Sequence, residues 1–220
     1  DAALAAAGVT IQAALEMVNR RLWRAFLAVR PPASHADGRR ARGFCFFNHV
    51  ALAAEVIVRA WSRPVVVVDF DAHHGDGTQG LFAARADVGY VSVHQYPGFP
   101  GTGTGDDIGS GEGAGTTRNV PLTSGAGDDL VATAVEEALQ EVGSRLQPVA
   151  LVVSAGFDGH RDDPLSELDM TDAGYRRITS ALVRAAERWC EGRILSVLEG
   201  GFVPSTLARS AVAHLEELAD

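Results

Sequence analysis

Residues 65–68 are four consecutive valines between Pro64 and the polar run DFDAHHGDG, which reads as a buried strand emptying into an acidic, His-rich loop over 65–77. The pattern recurs along the chain. Residues 149–154 (VALVVS) form an apolar strand followed by the acidic loop 155–169 (AGFDGHRDDPLSELD). Residues 193–198 (RILSVL) form another, opening into Glu199, Gly200, Gly201 and Phe202. The spacing predicts further strands over 89–94 (GYVSVH) and 118–122.

Between the strands the period changes to three and four residues. Leu4, Ile11, Leu15, Val18, Leu22 and Phe26 predict a helix over 1–29 with a break near Gly8, stopped by Pro31 and Pro32. A loop over 30–43 carries His35, and helical spacing resumes over 47–61. A short helix is expected over 78–84, and residues 96–115, with eight Gly and two Pro, read as a long loop. The stretch 127–146 is an amphipathic helix with Asp128 and Asp129 at its positive end. Thr171 caps a helix running to about 190, and Pro204 begins the last one.

Apolar strands alternating with helices predict an α/β fold, a three-layer α/β/α sandwich around a mainly parallel sheet. Every unusual residue then falls just past the carboxyl end of a strand: Asp71, His73, His94, Asp158 and the Gly200-Gly201 turn. In open parallel sheets those ends form the rim where ligands bind.

The composition narrows the function. With 220 residues, 46% of them hydrophobic, the chain suits one domain with a substantial core. A net charge of −9 and the lack of basic clusters beyond Arg39, Arg40 and Arg42 argue against a nucleic-acid partner. No run approaches the roughly 18 apolar residues of a membrane span, and the first residues lack a signal-peptide plan. Cys45 and Cys190 make no disulfide framework, which points to a reducing, cytoplasmic location. All 19 basic residues are Arg, a bias expected of a GC-rich bacterial genome.

Residues two apart on extended backbone share a side, so Asp69, Asp71 and His73 face one way. Carboxylate oxygen and imidazole nitrogen are common donors to a divalent metal, and Asp71, His73 and Asp158 would make a three-ligand site. Three ligands leave coordination positions open, as catalytic rather than structural sites do. Such a site needs a base. His35 is the candidate, with Asp76 as the carboxylate that orients it.

In order, RPPASHA, GFCFFNH, DFDAHHGDG, FPGTG, AGFDGHRDDP and LEGG resemble the motifs of the zinc-dependent histone deacetylase family, including its bacterial deacetylase and acetylpolyamine amidohydrolase relatives. The resemblance implies one zinc held by Asp71, His73 and Asp158, with His35 as proton shuttle and Asp76 behind it. It places Phe44 and Phe99 on the walls of a channel gripping an acylated side chain, with Gly43, Gly201 and Phe202 beside them. On the residues alone, core packing is the favoured reading of Phe44 and Phe99. It further implies a potassium or sodium site at Asp69, Ser92 and the carbonyls of Asp71, His73 and Val93. His49, His74, His94, His160 and Cys45 are expected only to pack. The family's catalytic domain is longer, so residues 1–220 are expected to form a single catalytic domain lacking an N-terminal part of the sheet. The substrate is expected to be an acylated amine on a protein lysine, polyamine or small metabolite, with oligomeric state open.

Two positions depart from the family. Ser34 stands where the tandem His pair begins, which leaves Asp69 without an imidazole partner. Phe202 stands where the family has a Tyr that donates to the oxyanion, and one such donor is worth about 100 to 1000-fold in rate. The expected activity is therefore metal-dependent amide hydrolysis, reduced in rate. The alternative is an impaired homologue that binds metal and acyl ligand without efficient turnover. The arginase group, similar in fold, is disfavoured because its additional Asp positions hold Gly75 and His160.

Overall fold

The computed structural model describes all of residues 1–220. In chain order the elements are α1 (Ala2–Val18), β1 (Arg24–Leu27), α2 (His49–Trp61), β2 (Val65–Asp69), α3 (Asp76–Phe82), β3 (Val88–Gln95), β4 (Thr117–Leu122), α4 (Asp128–Leu146), β5 (Leu151–Ala155), α5 (Asp172–Trp189), β6 (Ile194–Leu198) and α6 (Pro204–Ala219). The six strands form one sheet in the order β1-β6-β5-β2-β3-β4, and every pairing is parallel.

A parallel sheet is covered on both faces, so its strands carry apolar residues on both sides. Val66 and Val68 pack with Val135 and Leu139 of α4 and Ile178 and Leu182 of α5. Val65 and Val67 turn the other way, toward Ala14 and Met17 of α1 and Ala54 and Ile57 of α2. The expected three layers are therefore present, with α1, α2 and α3 on one face and α4, α5 and α6 on the other. Asn48 caps α2 by accepting from the Ala51 N–H at 3.0 Å, and Thr171 caps α5 through the Ala173 N–H at 3.2 Å.

One sequence expectation fails. The helix predicted over 1–29 ends at Val18, and Arg24–Leu27 is an edge strand registered against β6 from Arg24 opposite Ile194 to Leu27 opposite Val197. Phe26 kept the helical step only by coincidence. Its ring packs edge-on against Phe157 and His214, a tertiary contact that overrides local periodicity. The break near Gly8 is also absent: α1 runs through it, since one exposed glycine among alanines costs only about 1 kcal/mol.

His214 of α6 is fully buried against the sheet, with Nδ1 2.6 Å from Thr179 Oγ1 and Nε2 2.8 Å from Ser196 Oγ. Burial pushes its pKa down to about 3 from the usual 6.5. Because the unfolded chain binds the extra proton, this group's contribution to stability is present above pH 6.5 and is lost as pH falls toward 3. Stability measured by urea unfolding should therefore decline more steeply toward acid in the parent than in a His214→Gln variant. Equal slopes between pH 7 and about 5 would overturn the buried neutral imidazole.

Candidate metal centre and substrate cleft

Because β6, β5, β2 and β3 are consecutive in the sheet, the loops leaving their carboxyl ends meet at one rim. Asp71 and His73 follow β2, Asp158 follows β5, and Glu199 and Gly200 follow β6. One donor atom from each of Asp71, His73 and Asp158 lies within 4.8 Å of the others. His73 Nδ1 is 2.9 Å from Asp158 Oδ2 and 3.2 Å from Asp71 Oδ1, while Nε2 is 3.1 Å from the Leu165 carbonyl oxygen. The Nε2–H donating to that carbonyl orients the ring and turns Nδ1 toward the carboxylates.

Backbone N–H groups hold the acids in place. The Gly200 N–H donates to Asp71 Oδ2 at 2.8 Å, the His73 N–H to Asp71 Oδ1 at 2.9 Å, and the Ala72 N–H to Asp158 Oδ1 at 3.0 Å. Such close approach requires glycine: a β-carbon on Gly156 or Gly200 would overlap the carboxylates of Asp71 and Asp158. Burial and the charge of Asp71 push Asp158 up to about 6. Burial opposes a charged His73, but hydrogen bonds to Asp158 and Asp71 outweigh it and raise its pKa to about 11. Two buried acids facing one nitrogen form a strongly cation-seeking group, and two oxygens with one imidazole fit a divalent ion of the zinc type.

His35 is buried beside the triad, with Nδ1 2.9 Å from Asp76 Oδ1, and Nε2 makes no hydrogen bond to protein. Burial is the main cause that lowers its pKa, which keeps the imidazole neutral and able to accept a proton. The second oxygen of Asp76 pairs with Arg42. Gly43 and Phe44 both adopt left-handed backbone, at φ 56° and 66°, and Gly43 passes close against the His35 ring. Strain of this kind at Phe44 persists only where the surroundings hold it.

These residues line a cleft of about 490 Å³. The largest hollow, about 630 Å³ between α2 and the loop bearing Arg39 and Arg40, contains none of them, so volume alone does not mark the site. Phe44 is 69% exposed, Phe99 51% and Phe202 36%, so they line the cleft and are not part of the core. The Phe99 ring stands edge-on to His35 at 5.0 Å, and Phe44 and Phe202 face each other at 6.0 Å. Gly43 lines the cleft, while its carbonyl accepts from Cys45 Sγ at 3.2 Å. Gly201, at φ 125°, lines a neighbouring hollow, with its carbonyl bound to Arg30 at 2.5 Å.

Asp69 and Ser92 are opposite each other in the β2–β3 ladder, and both are fully buried. Asp69 is not left bare by Ser34. The Tyr90 hydroxyl donates to Asp69 Oδ2 at 3.0 Å and the Asp71 N–H to Oδ1 at 3.1 Å. No cationic side chain is paired with this carboxylate, whose hydration is replaced by these two donors.

The other histidines near the sheet rim are tied by hydrogen bonds. His74 binds Thr102 and Gln79, His94 binds Ser92 and Gly103, His49 binds the Pro31 carbonyl, and His160 accepts from the Asp162 N–H. Sequence reasoning assigned no role to Tyr90, Arg42, Leu165 or Glu199. Of these only Glu199 carried a signal, as the acid of LEGG.

The sequence profile of the histone deacetylase domain matches residues 1–218. A probable deacetylase of Archaeoglobus fulgidus is 39% identical over 202 residues, covering 92% of this chain and 56% of that protein. The crystal structure of the HDA15 HD domain superposes with a TM-score of 0.93 at 38% identity, over 99% of this chain and 63% of that one. An acetylpolyamine aminohydrolase from Burkholderia pseudomallei superposes with a TM-score of 0.88 at 35% identity, over 97% and 61%. The chain thus spans a little over half the length of the archaeal relative. A match over nearly every residue, on a parallel sheet whose strand ends bring together two acids and an imidazole, makes this chain a member of the histone deacetylase domain family.

Proposed function

We propose that this protein is a zinc-dependent amidohydrolase that removes an acetyl or related acyl group from an amine. The observation that carries the reading is the convergence of Asp71, His73 and Asp158 beneath a cleft that also holds the neutral, Asp76-bound His35. A zinc ion held by the triad would polarise the acyl carbonyl and lower the pKa of water toward neutrality.

The remaining steps fall to the chain's own side chains. Phe44 and Phe99 flank the stem of an acylated amine and exclude water along it. His35 Nε2 accepts the proton of the attacking water and delivers it to the leaving nitrogen. Asp76 holds Nδ1 so that Nε2 faces the reaction, and stabilises the imidazolium formed between the two transfers.

What the cleft lacks is a hydroxyl at position 202. The Phe202 ring lies between Phe44 and the guanidinium of Arg30, 5.7 Å from its centre, and offers the oxyanion no donor. This favours a second reading, in which the chain holds metal and acyl ligand but turns over slowly. A hydroxamate separates the two: an enzyme binds it tightly and also hydrolyses acetyl-lysine peptides or acetylpolyamines, whereas a binder does only the first.

Metal analysis of the purified protein should find a single zinc per chain, lost in Asp71→Ala and Asp158→Ala. Two manganese ions would overturn the assignment in favour of arginase-like chemistry. Phe202→Tyr should raise kcat on an acetyl-lysine reporter by about 100 to 1000-fold with little change in KM. An unchanged rate would mean that another group already serves the oxyanion.

A further inference from the structure

Glu199 is the one buried acid at the cleft to which the mechanism gives no work. It is 1% exposed, lines the cleft floor, and forms no ion pair with Arg or His. A carboxyl group removed from water is tolerated only where hydrogen bonds replace its hydration. Here they are supplied by the loop that carries His35. Glu199 Oε2 accepts from the Ala33 N–H at 2.6 Å and the Ser34 N–H at 3.1 Å, while Oε1 is 3.3 Å from the donating Ser154 Oγ.

That loop has no helix or strand of its own between β1 and α2, so discrete contacts must set its position. On its far side, the Thr78 N–H and hydroxyl donate to the Ser34 carbonyl at 3.0 and 3.2 Å, and Asn48 Nδ2 donates to the Ala36 carbonyl at 3.0 Å. On the β6 side, Arg30 at the start of the loop reaches the Gly201 carbonyl at 2.5 Å, and Glu199 clamps the two residues just before His35. The next residue, Gly200, donates its N–H to Asp71 at 2.8 Å. Two successive residues of one turn therefore grip the base-bearing loop and a metal ligand.

Resting on the hydrolase reading above, we infer that Glu199 is a positioning residue: by clamping the Ala33 and Ser34 N–H groups it sets His35 at its working depth over Asp71 and Asp158. It touches neither the reacting atoms nor the metal ligands through its side chain. A change of about 1 Å in the placement of a base costs on the order of 100-fold in rate, so the clamp should show in kcat.

The test compares Glu199→Ala and Glu199→Gln with the parent in the full-length protein. Glu199→Ala should lower kcat on an acetyl-lysine reporter by about 10 to 100-fold with KM nearly unchanged and zinc content at the parental level. Glu199→Gln keeps an oxygen for the two N–H groups and an amide for Ser154, and should restore most of the rate. In a His35→Ala background Glu199→Ala should add no further loss, because the two residues act as one unit. Amide exchange at Ala33 and Ser34 should speed up in Glu199→Ala. Parental kcat, losses that multiply with His35→Ala, or unchanged protection of those amides would each overturn the inference. If Glu199→Ala does not fold, Glu199→Asp, which draws the oxygens back by one methylene, takes the same readouts. A parent that holds zinc yet hydrolyses no acylated amine defeats the hydrolase reading, and the exchange measurement then decides the clamp.

Discussion

Asp71 and Asp158 place two carboxyl groups, both almost without solvent, against a single imidazole nitrogen. Mutual repulsion and lost hydration would drive such acids apart or neutralise them unless positive charge and N–H donors surround them. The chain meets that demand with backbone. Gly200, Ala72 and His73 each turn an N–H toward a carboxylate oxygen, and Gly156 and Gly200 carry no side chain where one would collide. Donors from three separate segments can converge only if the strands feeding them are neighbours, so the order β6-β5-β2 is a condition of the site.

Rigidity of those strand ends explains where the remaining chemistry is placed. Strands β2, β5 and β6 are buried at every position and bonded on both sides, which leaves the candidate metal ligands little freedom to drift. The proposed base has no such support, because His35 lies on irregular chain between an edge strand and a helix. It is held from outside, by Asp76 at its ring and by Thr78, Asn48 and Glu199 at the backbone of its neighbours Ala33, Ser34 and Ala36. The division suits hydrolysis of a bound amide, in which the ion must stay still while the proton carrier meets two different partners in turn.

Much of this was legible in the sequence, since a period of two or an unbroken apolar run reports burial directly and polar residues at strand exits report a rim. Asp71, His73 and Asp158 were readable as one group because all three lie just past the carboxyl end of an apolar strand. The edge strand at Arg24–Leu27 was not, because four half-buried residues carry no period distinct from the helix before them. Tyr90 and Arg42 were beyond reach for a different reason. A tyrosine in a strand and an arginine in a loop signal nothing until folding brings one against Asp69 and the other against Asp76.

The two departures from the family pattern are not scattered. Ser34 and Phe202 both line the cleft, on the side of the metal triad where water and carbonyl would react, while all three candidate ligands and the backbone donors behind them are intact. Change therefore falls on groups that would act upon reacting atoms and spares those that would hold the ion. Removing an imidazole at Ser34 also removes a neighbour of Asp69, yet the Tyr90 hydroxyl satisfies that carboxylate, so the loss does not spread into the ligand shell. Holding an ion and using it thus rest on separable sets of side chains, and a sequence can drift in the second set without disturbing the first.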